Sequence, residues 1–140
     1  MEKPRPLTER FSVMSQITPA DIPELAAQGF RTLIDNRPNS EIDPAQGSEA
    51  MRKAAQDAGM EFLYIPFVPG QVTEEMVQEF AQALDRSEPV LAYCRSGTRS
   101  TTLWALASAG HMPAETIIAN AATAGYDLAY LAPALKRPQV

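Results

Sequence analysis

The chain has 140 residues, of which 45% are hydrophobic and 21% are charged, and its formal net charge is −5. This size and composition are typical of one globular domain that buries its own core. The acidic balance argues against a nucleic-acid partner, which usually binds a basic surface. A single cysteine and a single histidine provide neither a disulfide nor a cluster of metal ligands, so we expect no metal and no cofactor.

The N-terminal residues are polar and contain no signal-peptide pattern. Residues 1–9 include two prolines and four charged side chains, which predicts a flexible arm, and residues 10–136 are expected to form a single domain. No segment approaches the ~20 apolar residues that a membrane helix needs. We therefore expect a cytoplasmic protein with a reduced thiol and no membrane partner.

Strand and helix patterns alternate along this domain. Apolar segments typical of short buried strands cover 10–14, 30–35, 61–67 and 90–93. Helical spacing and caps predict helices over 18–29, 48–58, 73–84, 98–110, 115–123 and 127–135. No hairpin signal separates neighbouring strands, so helices must connect them. These features predict a three-layer α/β fold with a mainly parallel four-stranded sheet, which binds ligands at the carboxyl ends of its strands.

The most informative segment follows the fourth predicted strand, where Cys94 precedes a polar loop that leads directly into a helix. Backbone N–H groups of the loop and of the helix N-terminus would converge there to bind an anion. They would also favour the nucleophilic thiolate of Cys94. Gly97 lets the loop curl tightly, and Arg99 can return over the same anion with its guanidinium. Ser100 is expected to donate a hydrogen bond to the sulfur.

A lone cysteine at the end of a strand is most often a small buried hydrophobic residue. Here the next six residues contain two arginines, a glycine and three hydroxyl side chains, which favours a functional site. We expect Cys94, Arg99 and Ser100 to be catalytic. The remaining loop residues are expected to bind an anion: Arg95, Ser96, Gly97 and Thr98.

The loop after the second predicted strand should lie at the same edge of the sheet. Arg37 and Glu41 either line the mouth of the pocket or pair with each other or with Arg95. Asp35 could accept a proton, but an aspartate at the end of a strand is equally suited to capping a turn.

The Cys94–Ser100 segment resembles the active loop of rhodanese-type sulfurtransferases and the phosphate loop of dual-specificity phosphatases. It resembles the family of beta-lactamase hydrolase-like proteins, phosphatase-like domain, over about residues 10 to 110, when it is taken together with Tyr93, Ser15-Gln16-Ile17-Thr18, Asn36-Arg37-Pro38 with Glu41, Ala58-Gly59 and Ile65-Pro66. This resemblance implies a fold like that of the dual-specificity phosphatases. Some members of the family are fused to persulfide dioxygenases, which implies such a sulfide-oxidising enzyme as a partner.

The length of the loop separates the two activities in this comparison. Cysteine phosphatases place five residues between cysteine and arginine, whereas only four separate Cys94 from Arg99. The phosphatases also carry an aspartate general acid where this chain has Phe67-Val68-Pro69-Gly70-Gln71, and a histidine where it has Tyr93. The missing acid favours sulfur transfer, because a persulfide or thiosulfate donor leaves without proton donation, and Tyr93 is a further mismatch with the phosphatases.

The sequence therefore predicts a sulfurtransferase that moves sulfur from thiosulfate or glutathione persulfide to a thiol acceptor through a Cys94 persulfide. Two alternatives remain. One is an atypical cysteine-dependent phosphatase, and the other is a non-catalytic module that binds persulfides or anions.

Overall fold

The structure is a computed structural model that describes residues 2–136. At its centre is a sheet of five short strands: β1 (Arg5–Pro6), β2 (Phe11–Met14), β3 (Thr32–Asp35), β4 (Glu61–Tyr64) and β5 (Val90–Tyr93). Six helices connect or follow them: α1 (Ile22–Ala27), α2 (Ser48–Asp57), α3 (Glu74–Leu84), α4 (Thr98–Ser108), α5 (Ala114–Thr123) and α6 (Ala132–Leu135).

The strands lie in the order β1-β2-β5-β3-β4, and all neighbouring pairs except β1 with β2 are parallel. The predicted three-layer α/β fold with a mostly parallel sheet is confirmed. The sheet has five strands where four were predicted, because Arg5–Pro6, within the segment expected to be a flexible arm, pairs antiparallel with β2. A two-residue strand that contains a proline suits the edge of a sheet, where the missing N–H faces no partner.

Strand residues alternate between the two faces of the sheet and so build two separate hydrophobic clusters. On one face, α1 and α2 pack over β-strand side chains that include Leu33, Leu91 and Tyr93. On the other face, α3 to α6 pack over side chains that include Ile34 and Ala92. Cys94 continues the alternation of the second face, so it emerges beneath α4.

Helix α4 is the most deeply buried of the six helices. Seven of its eleven residues are buried, among them Leu103 and Trp104 at the centre of the second cluster. This apolar surface fixes the helix against the sheet and therefore fixes the loop that precedes it.

The last predicted helix is shorter than expected. In place of a helix over 127–135, the chain forms a 3₁₀ turn over Ala129–Leu131 and the four-residue α6. Pro133 explains the difference, because its ring cannot donate a backbone hydrogen bond and clashes with the carbonyl four residues earlier in a continuous helix. No helix within residues 2–136 is long and apolar enough to cross a membrane.

Candidate active site

Cys94 lies at the carboxyl end of β5, the strand between β2 and β3. Asp35 of β3 and Met14 of β2 are both in register with Tyr93, so the loops that follow these three strands meet at one edge. The Cys94 side chain is completely buried at the bottom of this edge. Because it follows a central strand, the sulfur is reached only through the loops around it.

The loop after Cys94 turns back on the sulfur. Gly97 adopts a φ of 90°, and its backbone N–H donates a hydrogen bond of 3.1 Å to the Cys94 Sγ. Gly97 also caps α4, so the positive end of the helix dipole lies beside the sulfur. Both features suit a site for negative charge, and anion binding by this loop stays a prediction.

Tyr126 forms one wall of the loop. Its hydroxyl donates a 3.0 Å hydrogen bond to the carbonyl of Ser96, and the guanidinium of Arg5 lies over its ring. A Cβ atom at Gly97 would come within 2.1 Å of the Tyr126 hydroxyl. The pKa of Tyr126 is raised mainly because the side chain is buried. The neighbouring Cys94 raises it further. The sequence analysis missed Tyr126, which lies in no motif and is separated from the loop by two helices.

Arg99 lies in the first turn of α4 near Cys94, and both of its terminal nitrogens bind Glu41. Its Nη1 lies 2.9 Å from Glu41 Oε2 and its Nη2 lies 2.7 Å from Glu41 Oε1. Nη1 also donates to the carbonyl of Phe67 at 3.0 Å. The hydrogen bonds to Glu41 raise the pKa of Arg99, and the nearby Cys94 contributes in the same direction. The guanidinium therefore stays charged beside the sulfur.

Arg37 and Glu41 pair with each other at this edge, which is one of the two sequence interpretations, and their lining of a pocket stays a prediction. Arg37 Nη2 donates to the Glu41 carbonyl at 2.9 Å, and its Nε lies 3.6 Å from Glu41 Oε1. Its Nη1 donates to Gln16 Oε1 at 3.2 Å. The pKa of Glu41 is lowered, mainly by the hydrogen bonds from Arg99. Glu41 thus pairs with both Arg37 and Arg99.

Asp35 lies at the same edge as Cys94 but on the opposite face of the sheet. Its neighbour Ile34 is on the face of Cys94, and successive strand residues point to opposite faces. Its Oδ1 accepts a 2.8 Å hydrogen bond from the Arg37 N–H, which is the turn-capping role considered for it. Burial raises the pKa of Asp35 to about 6. The hydroxyl of Tyr93 is buried beside this carboxylate without hydrogen-bond geometry, and burial raises its pKa too.

Ser100 does not donate to the sulfur as expected. Its buried hydroxyl donates to Asn36 Oδ1 at 2.8 Å, and Asn36 Nδ2 donates to the carbonyl of Ile65 at 2.8 Å. A serine hydroxyl has one hydrogen to donate, so this bond leaves none for Cys94. Ser100 anchors α4 to the ends of β3 and β4. Asn36, which the sequence analysis quoted as part of a motif without giving it a role, is the second half of this anchor.

The other loop residues form the rim of the site. The side chains of Arg95, Ser96 and Thr98 are exposed, and the Ser96 hydroxyl donates to Thr98 Oγ1 at 3.1 Å. The carbonyl of Arg95 accepts a 3.2 Å hydrogen bond from the Gln16 N–H. The Arg95 guanidinium makes no hydrogen bond or ion pair within residues 2–136, so the predicted pairing with Arg37 or Glu41 does not occur.

Known proteins resemble this chain over most of its length. The family model described as "Beta-lactamase hydrolase-like protein, phosphatase-like domain" matches residues 4–111. A beta-lactamase hydrolase-like protein from Agrobacterium fabrum is 36% identical over 125 residues, which cover 87% of this chain and 29% of that protein. The chain spans about three tenths of the length of the curated relatives it matches.

Solved structures share the whole fold. A candidate phosphatase from Neisseria meningitidis is 33% identical, the match covers 94% of each chain, and the TM-score is 0.77. The kinase associated phosphatase, solved with its catalytic cysteine replaced by serine, matches 90% of this chain and 83% of its own with a TM-score of 0.68. At 14% identity this second match establishes a common fold alone.

These matches overturn the sequence prediction of a sulfurtransferase with persulfide chemistry. That prediction is wrong, because both the family model and the Neisseria relative point to the phosphatase alternative. The argument from four intervening residues gave too much weight to loop length. Arg99 lies in the first turn of α4, and Cys94 is among the groups that raise its pKa, so the shorter loop still keeps the arginine near the cysteine.

Proposed function

We propose that this chain, which belongs to the phosphatase-like domain family of beta-lactamase hydrolase-like proteins, hydrolyses phosphomonoesters with Cys94 as the nucleophile. The observation that carries the proposal is the surroundings of the Cys94 sulfur. A backbone N–H donates to it at 3.1 Å, a helix N-terminus points at it, and a charged guanidinium lies beside it. These groups suit a thiolate that attacks a dianionic phosphoryl group.

In the first step the Cys94 thiolate attacks phosphorus and forms an S–P bond. The P–O bond to the leaving group breaks, and its electron pair stays on the leaving oxygen. In the second step water attacks phosphorus, the S–P bond breaks, and its electron pair returns to the sulfur. The leaving oxygen takes a proton from solvent and the attacking water gives one up to solvent, so the products are the alcohol and inorganic phosphate. Negative charge on the phosphoryl oxygens is met by the loop N–H groups and by Arg99.

The site favours substrates whose leaving group departs without a proton from the protein. The turn after β4, residues 67–71, contains no carboxylate. Glu41 is ion-paired with Arg99 and its pKa is lowered, which makes it a poor proton donor. Asp35 is directed to the other face of the sheet. An aryl phosphate, whose leaving oxygen carries charge readily, is therefore the substrate class we expect.

The test compares the unaltered protein with Cys94→Ser on para-nitrophenyl phosphate. We expect hydrolysis by the unaltered protein and a loss of about 10⁴-fold or more in Cys94→Ser, because the nucleophile is removed. Rapid quenching should trap a covalent phosphate on Cys94, visible as a mass increase of one phosphoryl group. Equal hydrolysis by both proteins, or no hydrolysis by either, would contradict the proposal. Binding of inorganic phosphate without turnover would indicate an anion-binding module.

A further inference from the structure

We propose that Glu41 is a positioning residue that orients Arg99 so that one edge of its guanidinium remains available for the phosphoryl group. The inference rests on the proposed function, since it assigns a role in the same reaction. It concerns a side chain that is 58 residues from Arg99 in sequence and contacts it across the mouth of the site.

The hydrogen bonds of Arg99 account for three of its five N–H groups. Both hydrogens of Nη1 are used, one by Glu41 Oε2 at 2.9 Å and the other by the Phe67 carbonyl at 3.0 Å. One hydrogen of Nη2 is used by Glu41 Oε1 at 2.7 Å. The remaining hydrogens are on Nε and Nη2, which form one edge of the planar group. That edge is the fork that binds two oxygens of a phosphoryl group.

Glu41 is itself held in place by Arg37. The Nη2 of Arg37 binds the backbone carbonyl of Glu41, and its Nε lies 3.6 Å from the carboxylate. Two arginines therefore share one carboxylate, and the lowered pKa of Glu41 keeps it ionised at neutral pH. A carboxylate that remains charged and fixed is suited to hold a guanidinium in a single orientation.

The same chain of contacts reaches the other end of the Cys94 loop. Arg37 binds the side chain of Gln16, and the backbone N–H of Gln16 donates to the carbonyl of Arg95 at 3.2 Å. Contacts from Glu41 through Arg37 and Gln16 thus connect Arg99 with Arg95, the residue that follows Cys94. The loop is held from both ends by residues outside it, which favours a fixed distance between the sulfur and the guanidinium.

The chain offers a matched control at the opposite edge of the sheet. Arg86 also binds a glutamate with two nitrogens, Glu61 at the start of β4, and donates to a backbone carbonyl with its Nη1. Glu61→Gln removes the same charge from the same kind of pair, far from Cys94. The comparison of Glu41→Gln with Glu61→Gln separates an effect on Arg99 from the general effect of losing a surface carboxylate.

The experiment measures para-nitrophenyl phosphate hydrolysis, inhibition by inorganic phosphate and thermal unfolding for both variants. We expect Glu41→Gln to lower kcat/KM by about tenfold to a hundredfold, mainly through kcat, because a misplaced guanidinium misses the transition state. Phosphate should also inhibit it more weakly. Glu61→Gln should match the unaltered protein. Equal losses in both variants would overturn the inference, as would unchanged kcat/KM or tighter phosphate inhibition in Glu41→Gln.

Calorimetric binding of inorganic phosphate distinguishes failure of this inference from failure of the proposed function. If the unaltered protein hydrolyses no phosphomonoester, the proposed function fails. Weaker phosphate binding by Glu41→Gln than by Glu61→Gln would then still support the role of Glu41. Equal or tighter binding, or no binding to any of the proteins, would overturn it. Should Glu41→Gln fail to fold, Glu41→Asp replaces it with the same expectations, since it withdraws the carboxylate by one methylene.

Discussion

The two edges of the sheet carry similar arginine–glutamate pairs that differ in what surrounds them. At the amino end of the strands, the Arg86 and Glu61 side chains are 32% and 49% exposed. At the carboxyl end, the Arg99 and Glu41 side chains are 16% and 33% exposed. An exposed pair contributes at most about 1 kcal/mol to folding. The less exposed pair, Arg99 with Glu41, matters because Glu41 orients the Arg99 guanidinium near Cys94.

The two arginines also present different edges to their glutamates. Arg86 uses Nε and Nη2, which are the nitrogens of the side edge. Arg99 uses Nη1 and Nη2 and leaves the edge with Nε open. Each arginine uses three of its five N–H groups, but Arg86 leaves one hydrogen on Nη1 and one on Nη2, whereas Arg99 leaves those of Nε and Nη2 at the edge that carries Cys94. An arginine–glutamate ion pair can therefore lie on the surface without a binding role or form part of a binding site.

The largest expected difference between the edges comes from replacing the arginines by lysine. Lysine keeps the positive charge but cannot present two parallel N–H groups. We expect Arg99→Lys to reduce kcat/KM for para-nitrophenyl phosphate by about 10²–10³-fold, the usual cost of removing one donor to a transition-state oxyanion. Arg86→Lys should leave kcat/KM unchanged. Steady-state kinetics of the two variants checks this, and similar losses in both would show that the edges are not functionally distinct.

Glycines with positive φ give a second comparison between the edges. Gly29, before β3, has a φ of 108° and open space around its Cα, whereas Gly97 has a φ of 90° and faces Tyr126. We expect Gly29→Ala to cost about 1 kcal/mol of unfolding free energy from backbone strain alone. Gly97→Ala should cost about 2–4 kcal/mol, because its Cβ also collides with a hydroxyl at 2.1 Å.

Urea unfolding of the two alanine variants measures that difference. Only Gly97→Ala should also lose activity, since the displaced N–H no longer points at the sulfur. If both variants lost the same stability, Tyr126 would have moved away at little cost, and its role as a rigid wall would be excluded.

The smallest effect concerns Asp35 and depends on pH. Burial raises its pKa from 3.8 to about 6, so the folded protein binds a proton that the unfolded chain releases between these values. The stability from the neutral form is present below about pH 4 and is lost as the pH rises through about 6. Asp35→Asn keeps an oxygen for the Arg37 N–H without the charge. We expect the free energy of unfolding of Asp35→Asn at pH 8 to be about 1–3 kcal/mol higher than that of the unaltered protein.

Denaturant unfolding of Asp35→Asn and of the unaltered protein at pH 4 and pH 8 provides the check. The two proteins should have similar stability at pH 4, where Asp35 is protonated. A constant difference at both pH values would mean that folding does not raise the pKa of Asp35, contrary to its buried position.

The sequence was sufficient to predict the fold, because the fold depends on local patterns, whereas the position of the site stays a prediction. Alternating strand and helix signals predict a parallel sheet, and such a sheet places Cys94 and the loop with Arg37 at one edge. The choice between phosphatase and sulfurtransferase failed, since a count of loop residues does not reveal how far Arg99 reaches from the first turn of α4.

Contacts between distant segments were the part that the sequence did not reveal. The single hydrogen of the Ser100 hydroxyl goes to Asn36, 64 residues away, and local chemistry offers no reason to prefer it over the sulfur. Tyr126 meets the loop only because α5 brings the chain back over it. β1 was missed because two residues are too few to show a pattern.

The anchor formed by Ser100 and Asn36 holds the first turn of α4 against the sheet. The bond lies within the core, and Asn36 continues it to the carbonyl of Ile65, so the first turn of α4 cannot separate from the sheet without exposing buried polar groups. The Thr101 amide hydrogen, which is bonded to the Gly97 carbonyl, should then exchange with solvent only through global unfolding of the domain. The catalytic loop would therefore be as long-lived as the fold itself, and a substrate would meet it already assembled, with little ordering entropy left to lose on binding.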